Sequence, residues 1–94
     1  MNLEFSKENN VYVAEAVVNG DYALHIEREA IGIFYMQQKF TGNNFAACSL
    51  PSSISNGNWK ILDCSFSHGI YPMSIRIKSS SKVNTAVLQE INQE

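Results

Sequence analysis

The sequence predicts an all-β fold: a single antiparallel β-sandwich of about eight short strands, jelly-roll-like or immunoglobulin-like in arrangement. Three observations lead there. Apolar residues recur at every second position, β-branched and aromatic residues are abundant, and turn-forming residues return every eight to twelve positions or so. Helical periodicity is nearly absent.

Leu3 to Phe5 reads as a short first strand, closed by Lys7-Glu8-Asn9-Asn10, and Val11 to Val18 as the second. Asn19-Gly20-Asp21 follows. Because Asn-Gly supplies the positive φ angles of a tight turn, this second strand is expected to form a hairpin with Tyr22 to Glu27. Within that third strand Tyr22, Leu24 and Ile26 point inward. His25 and Glu27 point to solvent, with Arg28 and Glu29 at the end of the polar face. Ile31 to Phe40 forms a fourth strand ended by Thr41-Gly42-Asn43-Asn44, and Phe45 to Leu50 a fifth. Pro51 to Asn58 is a polar loop before a strand over Trp59 to Phe66. Past Ser67-His68-Gly69 comes the clearest alternation, in which Met73, Ile75 and Ile77 take the core face and Ser74, Arg76 and Lys78 the wet one. After Ser79-Ser80-Ser81-Lys82, Val83 to Val87 alternates like a strand while Ala86 to Glu94 would equally suit a short helix, and the expectation is a strand through Leu88 with a frayed tail. So many short strands cannot all bury a face in one flat sheet. Two sheets packed about 10 Å apart, or a small barrel, is the economical solution.

A chain of 94 residues supports one core and hence one domain, 1–94. With 45% apolar and 17% charged residues it lies far from the composition of disordered chains. The net charge of −2 and the scattered basic residues argue against nucleic acid as a partner. No apolar run approaches the ~20 residues of a membrane span, and Met1-Asn2-Leu3-Glu4 does not open a secretory leader. The expected location is cytoplasmic or virion-associated, and secreted only if a leader has been removed. Cys48 and Cys64 match no zinc spacing and read as reduced, partly buried thiols, a single bridge between neighbouring strands being the alternative.

Candidate chemistry is sparse. His25, Glu27 and Glu29 share a strand face and are all metal-ligating types, yet a solvated polar face explains them without a metal. His68 sits in a turn. Asp63, Cys64 and His68 supply the names of a nucleophile and base, but alternation sends Asp63 and Cys64 to opposite faces. No strained serine elbow and no phosphate-cradling glycine loop is present. The reading is therefore a non-catalytic chain without a metal or cofactor. Phe5, Phe34, Phe45, Trp59 and Phe66 are expected to fill the core. Aromatic rings left at the surface can stack on sugars or anchor an interface, and the candidates are Trp59, Tyr71 and Tyr35. Trp59, following the polar loop, is placed at one end of the sandwich with its N–H near water. Arg76 and Lys78 are expected to pair across strands with Glu27 and Glu29.

Thr41-Gly42-Asn43-Asn44-Phe45 and Ile70-Tyr71-Pro72-Met73-Ser74-Ile75-Arg76-Ile77 resemble the small β-sandwich modules of phage tail and capsid-decoration proteins and of some carbohydrate-binding domains. The resemblance spans the middle and last thirds of the chain. It implies a structural or interaction module, a phage-type virion or assembly component with a protein partner or copies of itself. The alternative it implies is a carbohydrate-binding module that uses exposed aromatics.

Overall fold

Period-two alternation becomes two layers. The computed structural model describes residues 1–39, 44–67 and 72–91. Among these the chain runs β1 (Ser6–Glu8), β2 (Val11–Val18), β3 (Tyr22–Arg28), β4 (Phe34–Lys39), β5 (Ala46–Ala47), α1 (Ser52–Ser55), β6 (Ile61–Phe66), β7 (Met73–Ser79) and β8 (Val83–Glu90). One sheet has the order β1-β2-β7-β4-β5 and the other β6-β3-β8, and every pairing is antiparallel. The fold is an all-β sandwich.

The core is made by the inward phase of the central strands. Tyr22, Leu24 and Ile26 of β3 and Met73, Ile75 and Ile77 of β7 are each at most 2% exposed. Burying side chains of this size contributes about 1.5–3 kcal/mol each, so these two strands supply much of the driving force for folding. Phe34 is also buried, while Phe5, Trp59 and Phe66 pack against the core from its margin. Phe45 does not join them. It lies under Arg76, whose guanidinium carbon is 3.9 Å from its ring centroid.

The Asn19-Gly20 turn is not a hairpin. It carries the chain from β2 in the larger sheet to β3 in the smaller, so the positive φ of Gly20, 121°, serves a crossing between layers. The two-residue hairpin lies instead at Asn9-Asn10, with φ of 48° and 68°, where Glu8 and Val11 face each other across β1 and β2. Asparagine tolerates the left-handed conformation that such a turn needs at both positions.

Several boundaries also move. Leu3 to Phe5 is not the first strand. Instead Asn2 bridges to Val87, and the Leu3 N–H donates to the Ala86 carbonyl at 2.9 Å, so the amino-terminal residues line the edge of β8. The fourth strand begins only at Phe34, the fifth shrinks to two residues, and the sixth begins at Ile61 rather than Trp59. β8 continues past Leu88 to Glu90 because it pairs with β3 as far as Tyr22 opposite Glu90. Within the polar loop Pro51 to Asn58, α1 buries Ile54. Phe40 to Asn43, His68 to Tyr71 and the last three residues lie outside the described residues.

Candidate functional site

The third strand keeps its inward phase one step further than its charge suggests. Arg28 is not part of the solvated face. It follows Tyr22, Leu24 and Ile26 into the interior and is 4% exposed. Its guanidinium sits 3.8 Å from the centroid of the Trp59 ring and donates to the carbonyls of Trp59 at 2.8 Å and Gly57 at 3.1 Å, and to the Ser79 hydroxyl at 3.1 Å. Carbonyl dipoles and an aromatic face thus replace the carboxylate that a buried cation usually requires. Burial lowers its pKa. Trp59 in turn presses edge-on against Phe34, and its indole N–H donates to the Ile54 carbonyl at 2.9 Å rather than to water. This end of the sandwich is a closed structural plug.

On the outer face of the three-stranded sheet, His25 lies between two carboxylates. Its Nδ1 is 2.6 Å from Asp63 Oδ1 and its Nε2 is 2.9 Å from Glu27 Oε2. Register explains the contacts, because Asp63 is the cross-strand partner of His25 and Glu27 is its neighbour on the same face. The pKa of His25 is raised by its hydrogen bond to Glu27 and then by that to Asp63. Both ring nitrogens are thereby engaged in the protonated form. Glu29, past the end of the strand, takes no part in this cluster. Among the described residues no group of three or more His, Cys, Asp and Glu is arranged to hold a metal ion.

The thiols face the other way. Cys64 and Cys48 are unbridged, half-buried and packed against the core, with burial pushing Cys64 up to about 11 and Cys48 upward as well. A thiol so desolvated is a poor nucleophile. Asp63 and Cys64 do point to opposite faces, as alternation predicts.

The outer face of the five-stranded sheet collects what the sequence left scattered. Cross-strand register sets Lys78 between Val13 and Tyr35, and Arg76 between Glu15 and Gln37. Arg76 approaches Glu15 at 3.6 Å, and Lys78 lies 5.6 Å from the Tyr35 ring centroid. The pairing of these cations with Glu27 and Glu29 does not occur, because Glu27 belongs to the opposite sheet and Glu29 follows the strand that carries it there. Lys39 adds its ammonium 5.1 Å from the Phe45 centroid. The result is a face with three cations near two aromatic rings, bordered by Val17, which is 52% exposed. Tyr35 is itself 38% exposed.

Of the three candidate ligand-binding residues, then, Tyr35 lies open on this face, Trp59 lies in the plug with its N–H engaged, and Tyr71 falls outside the described residues. The five-stranded face escaped sequence reasoning because Lys39, Phe45, Arg76 and Glu15 meet only through the pairing of distant strands. No helix of the described residues is long and apolar enough to cross a membrane. No protein-family model matches this chain, and neither a curated protein nor a solved structure does.

Proposed function

We propose that this chain is a non-catalytic structural module that works by self-association or by docking on a larger protein assembly. The setting suggested by its turn and strand motifs is a phage-type virion or assembly component. The observation that carries the reading is the outer face of the five-stranded sheet. Tyr35 and Phe45 stand there beside Arg76, Lys78 and Lys39. Arginine and aromatic side chains presented together are the composition of interface hot spots, since they desolvate large areas at low entropic cost.

The inward, desolvated thiols, and a His25 whose two ring nitrogens are both taken up by carboxylates, support a non-catalytic role. Light scattering coupled to size exclusion, over a wide concentration range, tests the module reading on the wild type and on Tyr35→Ser. An oligomer or a partner complex that loosens in the variant is expected. A strict monomer that binds no assembly component overturns the reading. A carbohydrate-binding module is the second reading, because the exposed ring of Tyr35 offers a stacking surface for a sugar. A glycan array that responds to the wild type and not to Tyr35→Ser favours it over the first.

A further inference from the structure

The sheet edges are not finished alike. β1 and β5 are three and two residues long, and β1 carries Lys7 and Glu8. β8 is lined by the amino terminus, where the Leu88 N–H donates to the Met1 carbonyl at 2.8 Å. β6 has six residues, none of them Lys, Arg or Pro, and no described residue pairs with its outer side. Long edges are normally blunted by such residues or covered, because their unpaired groups template another strand.

The β3 ladder shows which groups this edge presents. The Arg28 N–H donates to the Lys60 carbonyl at 2.7 Å, and in an antiparallel pair the hydrogen-bonded positions recur every second residue. Leu62, Cys64 and Phe66, opposite Ile26, Leu24 and Tyr22, therefore turn their backbone groups toward β3. Ile61, Asp63 and Ser65 turn theirs to the free edge. The side chains Leu62, Cys64 and Phe66 point inward yet remain only half-buried, so the molecule alone covers this side of its core incompletely.

We propose that β6 pairs antiparallel with β6 of a second copy about a two-fold axis at Cys64, joining the two three-stranded sheets into one continuous sheet. The inference rests on the self-association reading above and adds to it a second surface, the β6 edge of the three-stranded sheet, distinct from the five-stranded face that carries Tyr35. Edge geometry requires the odd-numbered positions, Ile61, Asp63 and Ser65 with Ser67 beyond them, to bond with one another. A register centred on Asp63 sets two carboxylates directly opposite, which is unfavourable. Centring on Cys64 instead puts Asp63 opposite Ser65 and Leu62 opposite Phe66 of the second copy. The two Cys64 residues then face each other at a non-hydrogen-bonded position, where side chains approach closest. Each half-buried apolar residue gains a matching neighbour. β6 is complementary to itself, and that selects a second copy as the occupant.

Sedimentation equilibrium on the reduced protein with Ser65→Lys, Ser65→Asp and Ser65→Pro tests this register. Ser65 is exposed opposite Ala23, so none of these changes removes a core contact, and a circular-dichroism melt checks the fold of each. Symmetry presents each substitution to Asp63 twice. Lys is expected to tighten the dimer about tenfold and Asp to weaken it about tenfold. Ser65→Pro deletes an N–H that only the second copy uses and dissociates the dimer, because proline is tolerated on an edge whose N–H faces solvent. In a Cys48→Ala background, added diamide is expected to take two electrons and two protons from the paired Cys64 thiols and form a disulfide-linked dimer. Cys64→Ala forms none. A protein monomeric at all concentrations overturns the proposal. So does a dimer indifferent to the Ser65 changes and not linked through Cys64. If that dimer loosens on Tyr35→Ser, the module reading stands and only the β6 pairing falls.

Discussion

The Arg28 guanidinium sits over the Trp59 ring, 3.8 Å from its centroid, and donates a hydrogen bond to the Trp59 backbone carbonyl at 2.8 Å. The same residue thus offers this cation both its aromatic face and its peptide dipole. Through further bonds to Gly57 and Ser79, Arg28 ties β3 to β7 and to the segment after α1, while its buried Nε has no partner among the described residues. The cost of removing it from water is offset by acceptors that are themselves buried, so neither side is tolerable alone.

Arg28→Ala is therefore expected to destabilise the fold by about 3 kcal/mol, because it strands several buried acceptors at once. Arg28→Lys should recover part of this and no more, since an ammonium cannot form the planar fork against Trp59. Urea unfolding midpoints, with tryptophan fluorescence as the probe, provide the measurement. A loss within the range of an ordinary surface substitution contradicts the assignment.

Gly57 supports the same plug from the backbone. Its φ is +71°, and a Cβ built there would stand 2.0 Å from the Gly32 carbonyl oxygen and 2.8 Å from its carbon. Those atoms are backbone and cannot rotate aside, and the Gly32 N–H to Gly57 carbonyl bond at 3.0 Å holds the two segments together. Gly57→Ala is expected to cost about 3 kcal/mol or more, combining the left-handed penalty with overpacking. A thermal melt shows this directly, and an unchanged midpoint would contradict it.

The layered core is a third place for a sharp contrast. Ile26 is fully buried, so Ile26→Ala should cost about 2–5 kcal/mol through lost burial and a cavity. Ile33 is 68% exposed, and Ile33→Ala should stay within about 0.5 kcal/mol of the wild type. Chemical denaturation of the pair decides whether the inward phase of β3 is the true core, and equal losses would refute it.

That phase was legible because it is local. Tyr22, Leu24 and Ile26 declare a buried face by spacing alone, and so do Met73, Ile75 and Ile77. The same rule points Arg28 inward, and only the usual exposure of arginine argued otherwise. What the spacing does not carry is partner choice. Asn19-Gly20 and Asn9-Asn10 are both good reversals, but whether a reversal pairs its flanking strands or passes between layers depends on β7, which occupies the place beside β2 from more than fifty residues away. The outer face with Tyr35, Phe45 and Arg76 stayed hidden for that reason, as did the contact of His25 with Asp63. Trp59 was misplaced by one contact, because nothing in its spacing reveals that the Ile54 carbonyl at the end of a single helical turn receives its N–H.

His25 yields a pH dependence whose sign follows from its neighbours. The imidazolium donates toward Glu27 and Asp63, so the folded pKa lies above the ordinary 6.5, with Glu27, the less exposed carboxylate, the larger cause. A group whose folded pKa is raised stabilises the fold fully below its unfolded value, and that contribution disappears as the pH rises through the folded one. Stability should accordingly decline from about pH 6.5 upward to the raised value. Nuclear magnetic resonance titration of the imidazole C–H signals is expected to show a midpoint above 6.5 that falls in Glu27→Gln and, by less, in Asp63→Asn. Because the cluster is open to solvent, salt should pull the midpoint back toward the ordinary value. A wild-type midpoint at or below 6.5 would mean that the two carboxylates do not hold the ring, and the pH dependence argued from them would be lost.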